Sequence, residues 1–305
     1  MSARPEVVAL FGPTGVGKTA VTLALADLLR ARGEDPIAIS ADALQVYAGL
    51  ETLTAAPTAA ERVRLEHRLV GVVPVTGTFS VGEFMPLAHR KIDAALAAGR
   101  RPIVVGGTGL YLRAALTELH LRPPPAPGVR ERVARELAAR GPRALHAELA
   151  ERAPSAAARI AATDRTRIGR AHELLAAGED PLAADALGEE SQLWSEDMRR
   201  PTLLVGLVAK RAELYRRIEG RVDAMVADGA AEEVRRAVAA SASPTARKAL
   251  GFEELLAGDV EALKRRTRNL AKRQLTWMRR LARVRTIDVT RREPTEVAEE
   301  VAARL

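Results

Sequence analysis

Eight residues, Gly12-Pro13-Thr14-Gly15-Val16-Gly17-Lys18-Thr19, constrain this chain more than any others. They fit the pattern G-x-x-x-x-G-K-[S/T] of a phosphate-binding loop. The apolar run Val7-Val8-Ala9-Leu10-Phe11 precedes them and reads as a buried strand, and residues 20–30 follow as a helix-prone run. A strand, a glycine-rich turn and a helix in this order aim backbone N–H groups at an anion, and the helix N-terminus adds positive partial charge. In such a loop Lys18 reaches the outer phosphates and the Thr19 hydroxyl holds Mg²⁺. The chain is therefore expected to bind a di- or triphosphate.

Further apolar runs recur between helical stretches: Ile37-Ala38-Ile39-Ser40, Leu69-Val70-Gly71-Val72-Val73, Ile103-Val104-Val105-Gly106-Gly107, Leu203-Leu204-Val205-Gly206-Leu207-Val208 and Thr286-Ile287-Asp288-Val289. This alternation predicts an α/β fold, a P-loop-type parallel sheet flanked by helices, with ligands gathered at the carboxyl ends of the strands. One region breaks the rhythm. Arg122-Pro123-Pro124-Pro125-Ala126-Pro127-Gly128 is a stiff connector, and beyond it Val133, Leu137, Leu145, Leu149, Ile160 and Ile168 recur at helical intervals with no strand-like run. The expectation is a catalytic core over 1–121 and 196–305, interrupted by an all-helical insertion over 122–195.

Composition narrows the class. The absence of cysteine excludes disulfides and thiolate metal sites, and it fits a reducing cytoplasm. No run of about 18 apolar residues occurs, so no membrane span is expected, and the N-terminal Met1-Ser2-Ala3-Arg4-Pro5-Glu6 lacks the apolar core of a signal peptide. The net charge is +8, yet residues 264–285 alone hold ten Lys and Arg and no acid, which leaves the remainder at −2. A basic segment of this density suits a polyanionic partner.

Two other strand ends carry chemistry. The second strand runs into Ser40-Ala41-Asp42-Ala43-Leu44-Gln45-Val46-Tyr47, which sets Asp42 at the carboxyl edge near the phosphate loop. Three roles compete for it: a ligand to Mg²⁺, a general base, or a cap on the following turn. Gly106-Gly107-Thr108-Gly109-Leu110-Tyr111 allows the backbone to approach a ligand closely, with Thr108 hydrogen-bonding to it, or else makes a tight strand-to-helix turn. Near the C-terminus, Leu263, Leu270, Trp277, Leu281 and Val284 fall on one helical stripe predicted to pack on the core. Arg265, Arg268, Lys272, Arg279 and Arg283 lie largely off it, as RNA-phosphate contacts or as a solvated face.

Residues 12–19, 40–47 and 106–111 together resemble the tRNA dimethylallyltransferases (tRNA isopentenyltransferases, the IPP transferase family). So do Arg216-Arg217-Ile218-Glu219-Gly220-Arg221-Val222-Asp223-Ala224-Met225 and residues 245–252 and 267–277, in the family's order over roughly residues 5 to 285. The resemblance implies transfer of a dimethylallyl group from dimethylallyl diphosphate to N6 of an adenosine beside the tRNA anticodon, usually position 37, with release of diphosphate. The nucleotide-binding loop, which holds ATP in related folds, would here hold the allylic diphosphate with Mg²⁺. Asp42 then acts as the base near the amine, Thr14 and Thr108 line the donor and adenosine channel, and Arg247 or Lys248 faces the diphosphate. Asp42, Ala43, Leu44, Gln45 and Thr108 would meet the flipped-out adenosine, Arg268 and Lys272 the RNA backbone, and Arg130, Asp164, Arg165, Thr166 and Arg167 of the insertion the anticodon stem-loop.

A cytoplasmic monomer is expected. The chain departs from the family at residues 49–57, where the more common D-I-G-T-A-K-P and its lysine are absent, at Glu66-His67-Arg68-Leu69, and at Phe252 in place of a frequent tyrosine. The rival readings are a P-loop small-molecule kinase, a prenyltransferase acting on free adenylate, and an RNA-binding protein with a degenerate loop. The helical insertion and the basic C-terminal segment weigh against the first two; the intact Lys18, Thr19 and Asp42 weigh against the third.

Overall fold

A computed structural model describes residues 4–122, 124–184 and 192–305; Met1, Ser2 and Ala3, Pro123 of the proline-rich connector and residues 185–191 of the insertion lie outside them. Among the described residues the chain divides into two compact units, Met1–Leu119 with Glu196–Leu305, and His120–Ser195.

The first unit is built on a parallel sheet. Strand β1 (Val7–Phe11) is buried at every position, and α1 (Lys18–Ala31) leaves its carboxyl end through the phosphate loop. Strand β2 (Pro36–Ser40) follows, then β3 (Tyr47–Ala48), the short α2 (Glu51–Thr54) and α3 (Ala59–Arg64), β4 (His67–Arg68) and β5 (Val73–Pro74). Helix α4 (Val81–Ala97), β6 (Arg101–Gly106) and α5 (Gly109–Leu116) complete the first half of this unit. The main sheet runs β4-β2-β6-β1 and continues with β7 (Thr202–Val208) and β8 (Arg285–Asp288), every neighbouring pair parallel. Leu10 of β1 sits between Val105 and Val205. Because helices cover both faces, the inner strands β2, β6, β1 and β7 are mostly continuous apolar runs rather than alternating ones, while the edge strands β4 and β8 are polar and largely exposed. All carboxyl ends therefore open on one edge, where the loops after β1, β2 and β6 meet.

The run at 69–73 is not the single strand its composition predicts. Pairing with β2 stops at Arg68, Leu69 takes a left-handed φ of 62°, and only Val73–Pro74 pairs again, in a separate two-stranded sheet with β3. A left-handed leucine cannot continue a pleated strand, and Val72 is left half exposed.

In the second unit α6 (Val129–Arg152) is broken at Gly141, ahead of Pro142, and packs with α7 (Pro154–Arg159) and α8 (Arg165–Ala176). Val133, Leu137, Leu145, Leu149, Ile160 and Ile168 form its core. His146 and His172 are spent inside it, donating to the carbonyls of Ile160 and Leu145 at 2.8 and 2.9 Å.

After β7 the first unit continues with α9 (Arg211–Ala227), α10 (Ala230–Ala239), α11 (Phe252–Leu256), α12 (Val260–Arg280) and, beyond β8, α13 (Pro294–Ala302). The buried face of α12 is Leu263, Thr267, Ala271, Gln274 and Met278, and the helix ends at Arg280. The apolar stripe is thus corrected: Leu270 and Trp277 sit at its flank, Leu281 and Val284 lie past the last turn, and two polar residues, Thr267 and Gln274, face inward. A second apolar cluster joins Tyr47, Leu50 and Leu53 to Val222, Met225, Val234, Phe252 and Leu263.

Buried Glu233 of α10 holds α2 against this cluster, its two carboxylate oxygens accepting from the N–H groups of Thr52 and Leu53 at 3.0 and 2.8 Å. Those first-turn donors have no helical partners. Glu233→Ala should lower unfolding free energy by about 1–3 kcal/mol in urea titrations, and Glu233→Gln, which keeps one acceptor, by less.

Candidate active site

The loop after β1 can close on an anion because Gly17 adopts φ 100°, a conformation that side chains resist, and so turns the chain into the N-terminus of α1. Lys18 folds back over this loop, its Nζ donating to the carbonyls of Gly12 at 2.9 Å and Pro13 at 3.1 Å. Burial, together with the like charge of Arg221, lowers the Lys18 ammonium to about 8, with Asp42 opposing the shift. Arg221 is likewise held below its ordinary value by burial, and Asp42 is the charge that counters this. It makes no hydrogen bond or ion pair among the described residues. Arg217, one turn earlier on α9, pairs with Glu213 at 2.7 Å and reaches the Val16 carbonyl at 3.4 Å.

Asp42 is oriented by the turn that it caps. Its Oδ1 accepts from the N–H groups of Leu44 at 2.9 Å and Gln45 at 3.4 Å, which leaves Oδ2 without a hydrogen bond among the described residues. The Gln45 amide is consumed locally: Oε1 accepts from Ser40 at 3.0 Å and Nε2 donates to the Ala55 carbonyl at 3.1 Å. Thr108, at the start of α5, accepts from the N–H of Ala43 at 3.4 Å. The Asp42 turn and the Gly107-Thr108 turn are thereby joined.

Lys18, Asp42, Gln45, Arg217 and Arg221 line one cavity of about 510 Å³, whereas Thr108 and Ala43, expected on the acceptor side, are not among its lining residues. Thr14, Lys18, Thr19, Asp42, Arg217 and Arg221 line it on one side; Leu53, Val222, Met225, Leu250, Leu263 and Leu270 supply an apolar wall. Thr54, Ala55, Pro57 and His67, from the two segments that depart from the family pattern, also line it. Burial lowers the pKa of His67, and its Nδ1 donates to the Leu65 carbonyl at 2.7 Å.

Two basic residues expected here lie elsewhere. Arg247 pairs with Glu253 at 2.9 Å and lies over the Phe252 ring, and Lys248 is exposed. Both belong to a single turn, Ala246–Lys248, that buries only Ala246, so neither lines the cavity. Arg217 and Arg221 occupy the cationic positions instead. Their spacing of four on a helix was a readable signal, since it places both on one face. Gln274 was also missed: it too lines the cavity, from the middle of a helix whose charges drew attention.

Of the residues expected to meet RNA, Lys272 is exposed, but Arg268 is tied to Glu219 at 2.8 Å and lies over Tyr215. Arg265 and Arg273 of the same helix are exposed. In the second unit Asp164 caps α8 through the Arg167 N–H at 3.0 Å, Arg165 and Thr166 are exposed in its first turn, and Arg130 pairs with Glu173 at 3.4 Å.

A profile of the IPP transferase family matches residues 45–281. A tRNA dimethylallyltransferase of Thermobifida fusca is 41% identical over 289 residues, covering 91% of this chain and 88% of the relative. Another, of Kineococcus radiotolerans, is 42% identical over 290 residues, covering 91% and 89%. Among solved structures, the tRNA isopentenylpyrophosphate transferase of Bacillus halodurans superposes with a TM-score of 0.68 at 31% identity, covering 98% of this chain and 96% of that one.

The lowered Lys18 sets a pH dependence. Free protein loses one of the cradle's cations as pH rises through about 8, so affinity for inorganic pyrophosphate should fall by up to about tenfold per pH unit above that point. Lys18→Arg, which stays charged, should flatten the profile in calorimetric titrations from pH 7 to 9.5.

Proposed function

This chain belongs to the IPP transferase family, and from that premise we propose that it is a tRNA dimethylallyltransferase, moving a dimethylallyl group from dimethylallyl diphosphate to N6 of adenosine 37 in tRNA anticodon loops. The observation that carries this reading is the pairing, in one cavity, of a cationic phosphate cradle with a wall of leucine, valine and methionine side chains. An anion with a short apolar tail fits both.

The residues divide the work as follows. The amides of the loop, Lys18 and Arg221 hold the diphosphate and stabilise the charge that collects on it as the carbon–oxygen bond breaks. The adenine N6 is a poor nucleophile because its lone pair is delocalised into the ring. As N6 forms its bond to the allylic carbon, Asp42 Oδ2 takes the N6 proton, while the amides of Leu44 and Gln45 keep Oδ1 in place. Among the described residues no three acids or imidazoles cluster to hold a metal by themselves. Thr19, which lines the cavity, would hold Mg²⁺ of the kind bound largely through substrate phosphates and water. When bound there, Mg²⁺ supplies further neutralisation of the departing diphosphate.

On the RNA side, Lys272, Arg265 and Arg273 provide phosphate contacts, and Arg130, Asp164, Arg165, Thr166 and Arg167 of the second unit approach the anticodon stem-loop. We take a monomer as the catalytic unit. The reading places the work in the cytoplasm; no helix among the described residues is long and apolar enough to cross a membrane.

The direct test is incubation with unmodified anticodon stem-loop, Mg²⁺ and labelled dimethylallyl diphosphate. Label should enter the adenosine beside the anticodon; phosphoryl transfer from ATP to a small acceptor, without RNA, would replace this reading with the kinase one. Asp42→Asn should cut transfer by ~10²–10⁴-fold while RNA affinity stays within about twofold of wild type. Neutralising Lys272 and Arg273 together should weaken RNA binding and reduce its log–log salt slope by about one to two, without changing the sequence preference.

A further inference from the structure

Gln274 is almost fully buried in the middle of α12, where a polar side chain needs a reason. Its Oε1 accepts from the N–H of Thr14 in the phosphate loop at 2.9 Å, and its Nε2 donates to the carbonyl of Gly107 at 2.9 Å. The approach to Gly107 is so close that a β-carbon there would lie 2.4 Å from Nε2. One residue on, Thr108 accepts from Ala43, beside the Asp42 turn. Three hydrogen bonds, joined by the backbone between Gly107 and Thr108 and between Ala43 and Asp42, therefore link the phosphate loop through Gln274 to Thr108 and the base. An amide of this length is the one side chain that offers a donor and an acceptor together at that span. It also takes the Thr14 amide out of the anion cradle, which fixes the first half of the loop.

We propose that Gln274 is a positioning residue that sets the distance and orientation between the diphosphate cradle and the acceptor side of the site. The proposal rests on the prenyl-transfer reading above and deepens it. The reacting carbon is held from the loop and the reacting nitrogen from the Asp42 and Thr108 turns. Among the described residues, Gln274 is the side chain that hydrogen-bonds to both the phosphate loop and the Gly107 turn. A misplacement of about 1 Å between reacting groups costs on the order of 10²-fold in rate.

Gln274→Met keeps length and burial and removes both hydrogen bonds; Gln274→Glu keeps the acceptor for Thr14 but sets a carboxylate oxygen against the Gly107 carbonyl. Both should lower kcat for transfer to the stem-loop by roughly 10²-fold, with the RNA dissociation constant within about twofold of wild type. Thr108→Ala combined with Gln274→Met should lose less than the product of the two single losses, because both act through one turn. Inorganic pyrophosphate should bind Gln274→Met roughly tenfold more weakly, a readout independent of prenyl transfer. An unchanged kcat, multiplicative losses, or unaltered pyrophosphate affinity would overturn the assignment, as would a loss matched by a fall in the folded fraction followed by circular dichroism. Wild-type protein that binds pyrophosphate but moves no prenyl group would overturn the reaction, while the pyrophosphate comparison still decides whether Gln274 braces the loop.

Discussion

Two buried cations, Lys18 and Arg221, feel the charge of one carboxylate, Asp42, in the first unit. Lys18 and Arg221 are both pushed by burial toward losing charge, and Asp42 is the acid that opposes this. Such an arrangement is under-compensated without a ligand, and an anion with two or more charges relieves it. The rest of the first unit serves that requirement. β1 presents the loop, α9 brings Arg221 across to face it, and the turn after β2 holds Asp42 where it balances the cations without neutralising them.

Chemistry and packing meet along the same helices. α9 supplies Arg217 and Arg221 to the cradle, while Val222 and Met225 enter the apolar cluster that also forms the cavity wall. α12 supplies Leu263 and Leu270 to the wall and Gln274 to the loop. A site built this way is stiff, because shifting a polar group also disturbs a packed apolar surface. The departures at 49–57 and at His67 fall on the cavity lining rather than on the cradle.

Several elements could be read directly from the chain. The strands β1, β2, β6 and β7 are largely buried apolar runs next to turn residues, and the phosphate loop is a local motif whose conformation depends on its own glycines. Asp42 was marked by its place at a strand end, with the cap on the following turn among its readings; that it would also counter two buried cations was not. Residues 69–73 misled because a run of valines meets the pattern for a strand, while the left-handed Leu69 that ends the pairing leaves no trace in composition. Arg247 and Lys248 misled because basic residues near a motif suggest an anion, whereas their side chains leave the turn on its exposed face.

From sequence alone the anion cradle, the parallel sheet behind it and the family to which the chain belongs were determined, because each depends on residues adjacent in the chain or on periodicity along it. Tertiary structure alone decided which distant side chains complete the cradle. Arg221, about two hundred residues beyond Lys18, and Gln274, at a separation of 260 from Thr14, reach the loop only once α9 and α12 pack against the sheet. Hydrogen bonding and charge act over a few ångströms of space and take no account of distance along the chain.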